Sequence, residues 1–111
     1  MEERRKSERV RIHLPAQWET ASGVRQGIVV NSSAGGCFVL AQVEEPGDEP
    51  LALSVELPNG RRAQIRGEVA YYLPTEGFGL QFDQSSDEGR ALLKTWLDYL
   101  HTLEQQTERT T

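Results

Sequence analysis

The sequence predicts an all-β fold with a C-terminal helix, in which six antiparallel strands form a barrel. Three observations lead to this prediction. Apolar residues alternate with polar ones in several short segments, which is the pattern of strands with one buried face. Turn-forming residues separate these segments at regular spacing, as in small closed barrels. Near residue 85 the apolar spacing changes to that of an amphipathic helix.

The first third of the chain predicts three strands. The alternation that begins at Val10 predicts the first strand. Pro15 lies on the polar face of this strand, and a proline there indicates an edge strand or a bulge. Shorter apolar runs at 27–30 and 37–41 predict the second and third strands. The buried face of the first strand is formed by Val10, Ile12, Leu14, Ala16 and Trp18.

The middle of the chain predicts a long acidic loop and then three more strands. Residues 42–50 are rich in acid, proline and glycine, which is typical of an exposed loop. A strand at 51–57 leads into the tight turn Pro58-Asn59-Gly60. The strand at 61–73 should carry Ile65, Val69 and Tyr71 on one face, and Gly67 indicates a bend or bulge in it. The last strand is predicted at 77–82.

The C-terminal segment predicts one helix. Ser85 and Glu88 form a capping-box signature, whereas Gly89 costs the helix about 1 kcal/mol relative to alanine. The apolar face of this helix should pack on the chain's own barrel, because the hydrophobic core of a small barrel needs to be covered. A dimer contact is the alternative. The apolar stripe contains Leu92, Leu93, Trp96, Leu97, Leu100 and Leu103.

Length and composition indicate one globular domain. The 111 residues divide into a flexible basic arm at 1–8, a barrel with its helix at 9–104, and a disordered polar tail at 105–111. We expect no signal peptide and no membrane span. Cys37 is the only cysteine, which excludes an internal disulfide and is consistent with a cytoplasmic protein. The formal net charge of −5 argues against a general nucleic-acid-binding barrel.

The residue content does not indicate an enzyme or a metal site. The two histidines, His13 and His101, have no spacing that links them to a nucleophile or to other metal ligands. Cys37 opens a strand and is expected to be a buried structural thiol. The acidic loop lacks the alternating oxygen ligands of a calcium site. Binding is therefore the expected activity.

Two segments have the chemistry of an anion-binding site. Five of the twelve Lys and Arg residues lie between positions 4 and 11, and arginine binds phosphate or a guanine edge through two parallel hydrogen bonds. The polar turn at 31–36 offers an amide, a hydroxyl and two glycines whose backbone N–H groups an anion can approach. Each segment alone also fits a plain basic tail or an ordinary turn. The candidate ligand-binding residues are Arg4, Arg5, Arg9, Asn31, Ser33, Gly35 and Gly36.

Together the two segments resemble the signature of the PilZ domain family, whose members are receptors for the bacterial second messenger cyclic di-GMP. The family pattern is Arg-x-x-x-Arg followed, after a strand pair, by Asp/Asn-x-Ser-x-x-Gly. Arg5-Lys6-Ser7-Glu8-Arg9 matches the first part, and Asn31-Ser32-Ser33-Ala34-Gly35-Gly36 matches the second. The resemblance extends over roughly residues 4 to 103, including the late Gly79-Leu80-Gln81-Phe82 strand and the terminal helix.

The resemblance implies a six-stranded barrel, cyclic di-GMP as the ligand and no further cofactor. Arg5 and Arg9 would contact guanine edges and phosphates, and Asn31, Ser33 and Gly36 would lie beneath the ligand. An arginine at the position of Arg4 is associated in the family with two stacked ligand molecules. The expected protein is a monomeric or weakly dimeric signalling adaptor that acts on an unidentified partner protein in motility or polysaccharide synthesis. The alternative is a ligand-independent interaction module of the same fold.

Overall fold

A computed structural model describes residues 9–20, 23–42 and 50–110 of the chain. Within these residues, six antiparallel strands form a closed barrel in the order β1-β2-β3-β6-β5-β4, and one helix follows. This confirms the predicted fold class. The predicted basic arm at 1–8 and most of the predicted acidic loop lie outside the described residues. The elements are β1 Val10–Thr20, β2 Gly23–Ser32, β3 Gly36–Leu40, β4 Leu51–Glu56, β5 Arg62–Leu73, β6 Gly77–Phe82 and α1 Asp87–Thr110.

Strand β1 has the predicted alternation. Leu14, Ala16 and Trp18 are buried while Pro15 is exposed. A register shift lies between Arg11 and Leu14, immediately before the proline. The strand is not at an edge, because β1 lies between β2 and β4 in the closed barrel, although it pairs with β4 only at two positions.

Strand β2 is longer than its apolar pattern suggested. It runs from Gly23 to Ser32, whereas the sequence predicted a strand over 27–30 only. The additional residues at its start include Arg25 and Gln26, which pair with β1 across the ladder. Backbone pairing with a neighbour can thus extend a strand beyond the residues that contribute to the core.

Strand β5 differs from the prediction in the direction of one aromatic side chain. The register shifts between Val69 and Tyr71, so Ala70 has no partner in the ladder with β6. This bulge turns Tyr71 to the outer face, where 49% of the side chain is exposed. The prediction that Tyr71 shares a face with Ile65 and Val69 is therefore wrong. It assumed that side chains alternate at every residue, and an unpaired residue in a bulge interrupts that alternation. Gly67 is regularly paired and is not the bulge.

Helix α1 packs on the chain's own barrel, the arrangement that the sequence favoured. Leu93, Trp96 and Leu100 are buried within the common hydrophobic core. The helix continues to Thr110 and so overlaps the segment 105–111, for which the polar composition predicts disorder. Among the described residues, no helix has the length and apolar character needed for a membrane span.

The N-cap of α1 is one residue later than predicted. The backbone N–H of Gly89 donates to Ser86 Oγ over 3.0 Å, so Ser86 occupies the N-cap position. Ser85 instead donates its amide and its hydroxyl to Asp83 Oδ1. The capping-box pair Ser85 and Glu88 is therefore a wrong prediction. Two consecutive serines precede the helix, and their sequence alone does not distinguish which one caps it.

Candidate functional site

The candidate site is formed where the start of β1 meets the end of β2. Antiparallel pairing places Val10 opposite Ser32 and Arg11 opposite Asn31. Arg9, the residue before β1, therefore lies beside the polar turn although the two are far apart in sequence. Strand pairing thus explains why an arginine motif and a polar turn separated by one hairpin lie together.

Arg9 makes two hydrogen bonds to the turn. Its Nε donates to Asn31 Oδ1 over 2.6 Å, and its Nη1 donates to Ser33 Oγ over 3.4 Å. Both acceptors are uncharged, so these contacts orient the guanidinium without neutralising it. The remaining N–H groups of an oriented arginine can bind an anion through paired hydrogen bonds.

The turn between β2 and β3 is closed by its own backbone. The Ser33 amide donates to the Gly36 carbonyl oxygen over 2.8 Å, and the Gly35 amide donates to Ser33 Oγ over 3.3 Å. Gly35 in turn accepts a hydrogen bond from the Phe82 amide on β6. Ser33 is therefore hydrogen-bonded both to other residues of the turn and to Arg9.

The two glycines of the turn have different surroundings. A Cβ atom on Gly36 would lie 2.4 Å from the backbone oxygen of Leu80, whereas a Cβ on Gly35 would meet nothing within 4 Å. Gly36 is required by the close approach of β3 to β6, since no side chain fits there. Gly35 leaves open surface at the site.

The turn is also held by a buried hydrogen bond from helix α1. Ser32 is 0% exposed, and its Oγ accepts a hydrogen bond from Trp96 Nε1 on α1 over 3.1 Å. The same hydroxyl lies 2.9 Å from the Gly36 carbonyl oxygen, to which it can donate. The turn is therefore connected to the helix as well as to Arg9.

A cleft of about 230 Å³ opens beside Arg9. The sequence did not indicate the part of this cleft that comes from β5 and β6. Tyr71 lies over Gly79, whose Cβ would be 2.3 Å from the tyrosine ring. The ring also stacks with Phe38, with 6.1 Å between the ring centroids and 24° between the planes. The cleft is lined by Arg9, Ser33, Gly35, Gly36, Cys37, Ala70, Tyr71, Gly79, Leu80 and Gln81.

A larger cleft, of about 740 Å³, lies on the other side of Gly35 near the start of α1. Of its three charged side chains, the carboxylate of Glu68 would repel an anion, and the other two, Asp83 and Arg66, already have partners. Asp83 accepts hydrogen bonds from Ser85 and Ser86, and Arg66 forms an exposed ion pair with Glu88 over 3.4 Å. We therefore place the candidate site in the smaller cleft, where the partners of the arginine are uncharged.

The one thiol at the candidate site is unreactive. Burial raises the pKa of the Cys37 thiol to about 12, although the nearby Arg9 charge acts in the opposite direction. The thiol is therefore neutral at physiological pH and is not a nucleophile. In the described ranges, no group of three or more His, Cys, Asp or Glu side chains is placed to hold a metal ion.

The structure brings together five of the seven predicted site residues. Arg9, Asn31 and Ser33 are joined by hydrogen bonds, and Gly35 and Gly36 lie in the same turn as Asn31 and Ser33. Arg4 and Arg5 lie outside the described residues. Tyr71, Gly79 and Gln81 are additions from the structure. For Tyr71 and Gly79, the signal is an exposed aromatic residue opposite a glycine on the neighbouring strand.

The sequence matches one family model. The model, described as the PilZ domain, matches residues 3–99 of this chain. No curated protein is significantly similar to it in sequence.

Solved structures share the fold at low sequence identity. The PilZ domain of CeSA from a cellulose-synthesizing bacterium superposes with a TM-score of 0.65 at 16% identity, over 86% of this chain and 99% of that chain. The PilZ domain of YcgR from Escherichia coli, solved with c-di-GMP, has a TM-score of 0.68 at 13% identity, over 97% and 99%. The Bacillus subtilis inhibitor of motility, MotI/DgrA, has a TM-score of 0.61 at 21% identity, over 89% of this chain and 52% of that chain.

Proposed function

The chain belongs to the PilZ domain family, and on that basis we propose that it is a cytoplasmic receptor for cyclic di-GMP which transmits the signal to a partner protein. The observation that carries the proposal is the contact of Arg9 with Asn31 and Ser33. It joins the two parts of the family signature into one surface. The PilZ domain of YcgR, which has the same fold, was solved with this ligand.

The cleft beside Arg9 has the groups that a guanine dinucleotide requires. The ligand has two phosphates and two purine bases. The Arg9 guanidinium can donate to a phosphate or to the O6 and N7 atoms of guanine. The exposed ring of Tyr71 offers a flat surface on which a base can stack. Arg4 and Arg5 are the further cations that we propose for the second phosphate and the second base.

The hydrogen bonds of Arg9 contribute to affinity through preorganisation. A free arginine side chain loses about 2 kcal/mol of rotamer entropy when it is fixed. Asn31 and Ser33 already fix Arg9 in the absence of ligand, so much of that loss occurs during folding and not during binding. Ligand binding then has to order only those groups of the site that are not already held in place.

The proposed output is a contact with another protein. A dianionic ligand would change the charge and shape of the surface around the cleft, and a partner that distinguishes the two surfaces would respond to ligand concentration. MotI/DgrA is described as an inhibitor of motility and CeSA comes from a cellulose-synthesizing bacterium. Motility and polysaccharide synthesis are therefore the outputs that we propose, although the chain spans only about half the length of MotI/DgrA.

Calorimetric titration with cyclic di-GMP tests the proposal, with two arginine variants. Replacing Arg9→Ala removes charged hydrogen bonds of about 1.5–3 kcal/mol, so affinity should fall about 10- to 100-fold. Arg9→Lys should restore only part of it, because lysine lacks the planar fork. Arg61→Ala, at an exposed turn away from the cleft, is the control and should bind as the unmodified protein does. Absence of binding by the folded unmodified protein would refute the proposal.

The alternative function is a ligand-independent interaction module of the same fold. The observation in its favour is that Leu40 and Leu73 are both exposed on the outer face, on either side of Gly77. A cellular assay of motility or polysaccharide synthesis separates the two functions. An Arg9→Ala variant with full cellular activity would favour the alternative, whereas loss of activity together with loss of ligand binding would favour the receptor.

A further inference from the structure

The indole of Trp96 connects helix α1 to the turn that carries the candidate site. Its Nε1 donates to Ser32 Oγ over 3.1 Å, between residues 64 positions apart in sequence. Both side chains are 0% exposed. Because both groups are buried, neither has an alternative partner in the solvent, and the hydrogen bond is costly to lose.

Ser32 lies between two residues of the candidate site, Asn31 and Ser33. Its hydroxyl is 2.9 Å from the Gly36 carbonyl oxygen, and the Ser33 amide donates to that same oxygen over 2.8 Å. A continuous series of hydrogen bonds therefore leads from the helix to the turn. Arg9 joins this series on the outer surface through Asn31 and Ser33.

We infer that Trp96 is a positioning residue for ligand binding, and that its hydrogen bond to Ser32 is coupled to the occupancy of the cleft. The inference rests on the proposed function, since it concerns the same site. When the indole donates to Ser32, the turn holds the arrangement in which Asn31 and Ser33 orient Arg9. Loss of this hydrogen bond alters that arrangement. By thermodynamic reciprocity, ligand binding strengthens the contact of Trp96 with Ser32 to the same extent.

A purely structural role for Trp96 makes a different prediction. Trp96 is the largest of the fully buried side chains, so any substitution destabilises the fold through lost packing. Packing alone affects the fraction of folded protein and leaves the affinity of the folded molecule unchanged. Ligand affinity measured on folded protein therefore separates the two roles.

The first test is a double-mutant cycle in which dissociation constants for cyclic di-GMP are measured by calorimetry. Trp96→Phe keeps an aromatic ring but removes the N–H donor, and Ser32→Ala removes the hydroxyl. Each should weaken binding about three- to tenfold, as expected for one buried hydrogen bond. The double variant should bind about as weakly as Ser32→Ala alone, because Ser32→Ala already removes the acceptor of the indole N–H as well as the contact of the hydroxyl with Gly36.

Leu93→Ala provides the matched control. Leu93 is buried on the same helix, and its loss also destabilises the packing of α1 on the barrel. It has no polar atom that could reach the turn. The dissociation constant of the folded Leu93→Ala variant should therefore equal that of the unmodified protein.

The second test uses the two tryptophan indole N–H signals in a proton–nitrogen correlation spectrum. Adding cyclic di-GMP should shift the Trp96 signal, which is identified by its absence in Trp96→Phe. The Trp18 indole is the internal reference, since Trp18 pairs with Arg25, about 23 Å along β2 from Ser32. A shift confined to Trp96 supports the coupling.

The outcomes distinguish the inference from the proposed function. If the unmodified protein does not bind cyclic di-GMP, both are refuted. If it binds and the folded Trp96→Phe and Ser32→Ala variants bind equally well, the receptor function stands and the coupling is refuted. Equal weakening by Leu93→Ala would also refute it, because general loosening of the helix would then explain the effect. Should Trp96→Phe not fold, Trp18→Phe assigns the two indole signals, and the presence or absence of a ligand-induced shift of the Trp96 signal decides.

Discussion

Gly35 and Gly36 are adjacent residues of the candidate site, but only Gly36 is held against a neighbouring strand. A Cβ on Gly36 would lie 2.4 Å from the Leu80 carbonyl oxygen, which belongs to the backbone and cannot rotate away. The same atom on Gly35 would enter open space, and its backbone torsion is not in the left-handed region. The two glycines therefore differ in what they contribute to the fold.

Alanine substitution should separate these contributions. We expect Gly36→Ala to lower the free energy of unfolding by about 1–3 kcal/mol, as overpacking does. Gly35→Ala should change it by less than about 0.5 kcal/mol, the usual range for surface positions. Urea unfolding monitored by tryptophan fluorescence measures both. Equal stability of the two variants would contradict the close approach of β3 to β6.

The grouping of Arg9, Asn31 and Ser33 in one candidate site could be predicted from the sequence, because these residues belong to short segments whose chemistry is local. Tyr71 could not. Its direction depends on the bulge at Ala70, and a bulge is defined by pairing with another strand, which a single segment does not reveal. The role of Gly79 likewise depends on the Tyr71 ring, which lies above it and leaves no room for a side chain.

At the scale of the elements, the start of α1 depends on a close contact with the end of β6. A Cβ on Gly89 would lie 2.7 Å from the Asp83 carbonyl oxygen and 2.8 Å from its Oδ2. Gly89→Ala should therefore destabilise the protein by roughly 1 kcal/mol net, even though alanine favours an isolated helix. Thr95→Ala at an exposed position of the same helix is the control, and it should stabilise slightly. Thermal unfolding tests both, and a gain in stability with Gly89→Ala would contradict the contact.

Asp83 makes this junction dependent on pH. Its pKa lies below the ordinary value of 3.8, first because the Ser85 amide donates to its carboxylate and then because the Ser85 and Ser86 hydroxyls do so. A lowered pKa in the folded state means that the carboxylate stabilises the fold above its ordinary pKa. This contribution is lost as the pH falls through the folded value.

Replacing Asp83→Asn tests the sign of this effect. The variant should be less stable than the unmodified protein at neutral pH, and the difference should shrink in acid, where the native carboxyl group is protonated as well. Urea unfolding at a series of pH values measures the difference. A difference that stays constant from neutral pH to strongly acidic pH would show that the charge of Asp83 has no part in it.

The helix illustrates what a periodic pattern determines and what it does not. The apolar stripe predicted that Leu93, Trp96 and Leu100 face the core, and they do. It did not determine the N-cap, because Ser85 and Ser86 are both capable of that role. The choice depends on Asp83, which binds the amide and hydroxyl of Ser85 and leaves Ser86 to accept from Gly89.

At the scale of the whole molecule, Cys37 reports on the integrity of the barrel. The thiol is 1% exposed, and burial raises its pKa to about 12. A thiol reagent should therefore reach it only when the barrel opens. At mildly alkaline pH we expect native protein to react at least about a hundredfold more slowly than protein unfolded in urea.

Ligand should slow this reaction further. A molecule that binds only the folded state lowers the population of open forms, so cyclic di-GMP should reduce the labelling rate of the unmodified protein in proportion to its occupancy. The Arg9→Ala variant is the control, because its weaker binding should give less protection at the same ligand concentration. Rapid labelling of folded protein would show that the thiol is accessible without opening.

The unpaired residue in β5 has a consequence for the length of the chain. Because Ala70 has no partner on β6, a molecule lacking this residue could keep Val69 opposite Leu80 and Tyr71 opposite Gly79. The same outer aromatic surface is thus compatible with a strand that is one residue shorter. An insertion or deletion at this position would change the pairing of β5 and β6 only locally, and the remaining strands of the barrel would keep their register.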